Sequence, residues 1–138
     1  MISAADFARQ AETGGYIGIP YKTLDCQAFI ERVLKDVGVV DESGRAYNWR
    51  GSNHIWRDAV NTRTENDLNP PIGAVVFTIK NDGGERKRGY KDDMKNAAHI
   101  GIYVGNNRVI HSTTGGVQWD VIASSRWTHY ARMSCLEY

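Results

Sequence analysis

An α+β fold, with N-terminal helices packed on an antiparallel sheet, follows from two patterns and the turns between them. Apolar residues recur at helical spacing in the first half of the chain. After Asn69 they run continuously or alternate, as in strands, and Gly, Asn and Pro clusters separate these runs. At 138 residues the chain reads as a single domain over 1–138, long enough to bury a core without disulfide staples.

Ser3 with Asp6 forms a capping pattern for a first helix that runs to about Thr13 and is stopped by Gly14-Gly15. The loop Tyr16-Ile17-Gly18-Ile19-Pro20-Tyr21-Lys22-Thr23 leads directly to Asp25-Cys26. From there Cys26, Phe29, Ile30, Val33, Leu34 and Val37 share one helical face, with Asp25 as cap and Gly38 as stop. Residues 39–53 are irregular. Ser52 is placed to cap a third helix, to about Asn61, burying Ile55, Trp56, Ala59 and Val60, with His54 a solvated group on its first turn. Trp49 and Trp56 suit either core packing or the wall of a groove, and Trp56 reads as core.

Asn69-Pro70-Pro71-Ile72-Gly73 delivers the buried strand Ala74–Ile79. The charged, glycine-bearing segment from Lys80 to Ala98 reads as a solvated loop or, alternatively, a lid beside a charged substrate. His99–Val104 then alternates, with Ile100, Ile102 and Val104 on one face and His99 and Tyr103 on the other. Arg108–Ser112 returns after a hairpin, Val117–Ile122 follows, and His129–Leu136 closes the sheet, with Cys135 as a buried apolar residue.

The hairpin decides whether the two histidines meet, because side chains alternate with a period of two. A three-residue loop, Gly105 to Asn107, sets Gly101 opposite His111 and makes His99 and His111 diagonal neighbours, about 7 Å apart at the backbone. A two-residue loop, Asn106-Asn107, sends them to opposite faces unless a bulge restores the count.

A thiol in the first turn of a helix faces unpaired N–H groups and the positive end of the macrodipole, which favours thiolate. Cys26 is therefore a candidate nucleophile. His99 is its natural base, His111 accepts from the other ring nitrogen of His99 and orients it, and Tyr21 or backbone N–H groups near Cys26 are placed to hold an oxyanion. Each such donor is usually worth roughly 3 kcal/mol. Tyr21 also suits a plain anchoring role. The same Cys26, His99, His111 and Asp25 offer donors for zinc, although their spacing matches no strong metal pattern.

Composition narrows the partners. A net charge of +1 gives no electrostatic case for nucleic acid or an acidic membrane surface, and two cysteines are too few for a disulfide framework. Met1–Asp6 lacks a basic region followed by an apolar run, and no stretch is long enough to span a bilayer. The expectation is a monomer made in the cytoplasm without a signal peptide.

Asp25-Cys26-Gln27-Ala28-Phe29 resembles the Asp-Cys-Ser-Gly-Phe signature of the NlpC/P60 family of cell-wall cysteine peptidases. His99–Asn106 is similar to that family's His/Gly/aromatic strand ending in Gly-Asn, Ile110-His111-Ser112 to its Ile-His-Ser/Ala element, and Pro71-Ile72-Gly73-Ala74 to its Pro-Gly-Asp element. All four lie in the family's order. The resemblance implies a papain-like fold and cleavage of peptidoglycan stem peptides, commonly between D-glutamyl and a diamino acid, with no metal or other cofactor. Cys26 would be nucleophile, His99 base and His111 the third residue. The resemblance also strengthens Tyr21 as a site residue. Gln27 and Ala28 depart from the family's small pair, the 80–98 segment is longer than the compact version, and the acidic residue before the central strand is missing. With no leader or wall-binding repeat in the sequence, a phage endolysin or tail-associated hydrolase is expected, acting on the bacterial wall. The alternatives are a CHAP-like amidase and a non-catalytic wall-binding module.

Overall fold

The computed structural model describes residues 1–138. Helices α1 (Ala4–Thr13), α2 (Cys26–Asp36) and α3 (Ser52–Asp58) precede strand β1 (Val60–Glu65). Then come β2 (Val75–Lys80), the short α4 (Gly84–Lys87), β3 (Asn96–Gly105), β4 (Arg108–Thr113), β5 (Gly116–Val121) and β6 (His129–Met133). All neighbouring strands are antiparallel, in the order β1-β6-β2-β3-β4-β5. No helix is long and apolar enough to cross a membrane.

The two faces of the sheet are covered unequally, and the alternation of side chains is the reason. Phe77, Ile100, Ile102 and Ile110 point toward α1, α2 and α3 and join Phe7, Phe29, Ile30 and Ile55 in the main core, all fully buried. Each such side chain contributes about 1.5–3 kcal/mol through burial. On the other face Val76, Tyr103, Val109, Ile122, Trp127 and Tyr130 form a second, smaller cluster beneath the connection from β5 to β6. His99 and His111 belong to this face by strand parity.

Helix starts follow the sequence in two cases and depart from it in the third. The Ser3 hydroxyl accepts from Asp6 N, and Asp25 Oδ1 accepts from Ala28 N at 2.8 Å, a cap usually worth about 1 kcal/mol. Ser52, expected as a cap, lies inside α3. Gly51 holds the cap position, and the Ser52 hydroxyl donates to the Ala97 carbonyl on β3. The helix also stops at Asp58 instead of Asn61, because Val60 begins the edge strand β1. His54 is only partly solvated: Nδ1 accepts from Arg50 N, Nε2 lies 3.2 Å from Asp58, and its side chain is 18% exposed. The closing strand ends at Met133, short of Leu136, and Cys135 is partly buried.

The 80–98 segment is no plain solvated loop. It contains α4, and Asn96–Ala98 already belong to β3. Polar contacts tie it to α3. Buried Asn53 donates to Asn96 Oδ1 at 2.8 Å and accepts from Ala97 N and Arg57, while Asn96 donates to Asp82. Arg57 grips Asp92 with two bonds, at 2.7 and 2.8 Å, and lies over the Tyr90 ring. Removing a partner from a buried polar network leaves the others unsatisfied. Asn53→Ala, which orphans the Ala97 N–H, is expected to lower unfolding stability by about 2 kcal/mol, measured by urea denaturation, whereas an unchanged midpoint would show that the network contributes little.

Candidate active site

Three stretches distant in sequence converge where β3 parts from β4. Their paired register runs from Gly105–Arg108 to Ile102–Ile110, while β2 follows β3 on to Asn96. Beyond Ile102, therefore, one edge of β3 is open. The N-terminus of α2 fills the gap, and the Ile100 backbone N–H reaches the Cys26 sulfur one residue from His99.

The loop before α2 is fixed there by backbone pairing to β5 and by one side chain. Gly18 N donates to Val117 O, and Val117 N to Ile19 O. The Ser112 hydroxyl, next to His111, donates a short hydrogen bond to the Leu24 carbonyl. Nucleophile loop and histidine strand are thereby joined two residues from the sulfur.

The hairpin has the two-residue turn, not the three-residue loop. Asn106 and Asn107 have φ of 52° and 64°, as a type I′ turn requires. By itself that turn would separate the histidines. A bulge at Val104 shifts the register between Tyr103–Val109 and Gly105–Arg108, and the extra residue restores the odd count. His99 Nε2 consequently lies 2.7 Å from His111 Nδ1. Gly101 sits between them without a side chain, because a Cβ there would come within 2.9 Å of Trp127 and Val109 and 3.1 Å of His111 Cβ.

Trp127 seals the pair. Its ring stacks on His99 at 5.5 Å between centroids and meets His111 edge-on at 5.2 Å. The indole N–H donates to Asp120 Oδ2, and Arg126 reaches to 3.4 Å from His111 Nδ1. Burial holds both imidazoles well below their ordinary value, to about 4. Arg126 pushes the same way in each, and His99 also feels His111, while Asp120 opposes. Burial therefore favours the neutral form of both rings.

The thiol departs from the sequence expectation. Burial pushes Cys26 above its usual range and the adjacent Asp25 adds to this, outweighing the N–H groups of Gln27, Cys26 and Ile100 that pull it down. Burial thus disfavours the charged form of the thiol and of both imidazoles. Burial raises the Tyr21 phenol as well, with contributions from Cys26 and Asp25, which places its hydroxyl beside the thiol, and the residue is 38% exposed. Asp25 acts as helix cap.

Alongside α2 lies an open cleft of about 370 Å³ lined by Leu24, Gln27, Ala28, Glu31 and Tyr47. Gln27 and Ala28, the two departures from the family signature, form part of its wall. Burial raises the Glu31 carboxyl to about 7, although the Trp49 backbone N–H opposes the shift. The two histidine nitrogens face each other in hydrogen-bond geometry, and no three His, Cys, Asp or Glu side chains group as ligands of one ion. Trp127, Arg126, Asp120 and Ser112 were missed by sequence reasoning. The first three carry no local motif, and Ser112 stands in the sequence as a strand residue and part of a resemblance, with no role of its own.

Comparison with known proteins matches residues 12–134 to the NlpC/P60 family. The chain is 28% identical over 118 residues to the probable peptidoglycan endopeptidase LytE of Bacillus subtilis strain 168, covering 80% of this chain and 28% of that protein. It is 27% identical over 135 residues to the probable endopeptidase p60 of Listeria grayi, covering 93% of this chain and 22% of that one. Thus it spans less than a third of the length of either relative. Its fold matches the crystal structure of the NlpC/p60 domain of the peptidoglycan hydrolase SagA with a TM-score of 0.63 at 17% identity, over 96% of this chain and all of that one. With the match extending over most of its length, the chain belongs to the NlpC/P60 family.

Proposed function

We propose that the protein is a cysteine endopeptidase that hydrolyses amide bonds in bacterial peptidoglycan stem peptides. The observation that carries this reading is the 2.7 Å His99–His111 contact beside a helix-start thiol, in a chain of the NlpC/P60 family. Cys26 is the nucleophile, His99 the base and His111 the residue that steadies it.

The reaction follows from the resting charges. With thiol and imidazole both neutral, the proton moves as the bond forms: the sulfur attacks the carbonyl carbon while His99 takes the Cys26 proton. The new oxyanion is held by the Cys26 N–H and the Tyr21 hydroxyl. The C–N bond then breaks, His99 returns the proton to the leaving amine, and a thioester remains. Water, deprotonated by His99, attacks the thioester and regenerates the thiol, releasing the carboxylate. His111 accepts a hydrogen bond from His99 throughout, stabilising the imidazolium without itself ionising.

The 370 Å³ cleft beside Gln27 and Ala28 receives the stem peptide. By family resemblance the bond is the one between D-glutamyl and a diamino acid. The relatives' names support the wall as the target.

Incubation with defined muropeptides is expected to release new amino groups, detected by fluorogenic labelling and located by mass spectrometry. Cys26→Ala should lower the rate by at least about a thousandfold, and a chelator should leave it unchanged. Cleavage by the alanine variant at the parental rate would refute the thiol mechanism.

The raised thiol also has a kinetic signature. Below its pKa the thiolate fraction, and with it alkylation, rises about tenfold per pH unit. Iodoacetamide should therefore react with Cys26 at a rate still climbing above pH 9, measured in a Cys135→Ala background because the second thiol, pushed to about 11 by burial, reacts only at higher pH. A flat rate extending down to about pH 6 would instead reveal a preformed thiolate–imidazolium pair.

A further inference from the structure

Two neutral imidazoles joined by one hydrogen bond admit two arrangements. Either His99 donates from Nε2 to His111 Nδ1, or His111 donates from Nδ1 to His99 Nε2. Only the first leaves His99 Nδ1 as a lone pair. Nothing within the pair selects between them.

Arg126 supplies the selection. A guanidinium has five donors, no acceptor and a permanent charge, and Arg126 Nη1 stands 3.4 Å from the same His111 Nδ1. A proton on that nitrogen would point at another donor. Resting on the hydrolase reading for its chemical consequence, we propose that Arg126 is a positioning residue that fixes the tautomers of both histidines in series. It obliges His111 to present Nδ1 as a lone pair and thereby obliges His99 to carry its hydrogen on Nε2. The bare Nδ1 of His99 is then the atom that receives the Cys26 proton.

The surroundings hold the guanidinium for this role. Arg126 Nε lies 3.9 Å from Asp120 Oδ2, the same oxygen that accepts from the Trp127 indole at 3.0 Å. Trp127 in turn packs on both histidines. One carboxylate on β5 thus organises the cation that sets the tautomer and the ring that sets the orientation. The charged groups facing the pair are Arg126 and Asp120, while α2 and its preceding loop bring Cys26, Asp25 and Tyr21 to the site.

Long-range ¹H–¹⁵N correlation on protein labelled at the histidine rings reads which nitrogen of each carries hydrogen, with no substrate required. At pH 7.5 the parent is expected to show His99 and His111 both as single Nε2–H forms. Arg126→Met should show mixed forms for both rings, and Arg126→Lys, which keeps a cation, should restore the single form. Losing one charge-assisted donor shifts such a ratio by about tenfold or more, and kcat in Arg126→Met should fall in proportion to the fraction of His99 that has lost the Nε2–H form, about twofold for an even mixture, with KM near the parental value. A parental spectrum with His111 protonated on Nδ1 overturns the proposal whatever the variants do, as does an Arg126→Met spectrum unchanged from the parent. A protein that leaves muropeptides intact yet shows the expected tautomers and their response to Arg126 supports the assignment and refutes the hydrolase reading alone.

Discussion

The hydrogen-bonded contact between His99 and His111 is the constraint to which the neighbouring features answer. Two rings on adjacent strands meet only if their residues share a face, and the two-residue Asn106-Asn107 turn would by itself deny them that. The Val104 bulge corrects the register, Gly101 leaves room between the rings, and Trp127 closes over them. The same divergence of β3 and β4 that ends their ladder at Ile102 frees the Ile100 N–H for the sulfur. Strand pairing ends where the sulfur approaches the strand.

Burial sets the electrostatics of this arrangement. A helix N-terminus lowers a thiol pKa by offering N–H groups and partial positive charge, and Cys26 has both. It also sits against the core and beside Asp25, and these costs to the thiolate are larger. Burial acts in the opposite sense on the imidazoles, disfavouring their charged form. Both effects favour the neutral forms of thiol and imidazole, and in the proposed reaction charge separates only as substrate is attacked. Substrate that displaces water from the cleft would meet a site already arranged for that separation.

Much of this was legible in the sequence, for identifiable reasons. Phe29, Ile30, Val33 and Leu34 repeat at helical spacing and are buried, and the Asp25 cap is local chemistry. The condition for the two histidines to meet reduced to a count of residues, an odd loop or a bulge, although the sequence did not say which. Strand β1 was missed because it is mostly exposed, with a bulge and a positive φ at Thr62 that erase any alternation. The 80–98 segment looked solvated because its order comes from Asn53 and Arg57 on a distant helix, and pairing between remote polar side chains leaves no periodic trace. Arg126 and Trp127 were invisible for the same reason: their roles exist only once β5 and β6 bring their connection over the histidines.

What joins sequence to chemistry here is a pair of imidazoles held together and away from water. A side-chain ¹⁵N titration of the two rings tests this most directly. Both are expected to keep the shifts of neutral imidazole from pH 8 down to about 5 and to take up protons only toward about 4. A ring titrating independently near about 6.5, the ordinary value of a solvated histidine, would mean that it stands open to water and apart from its partner.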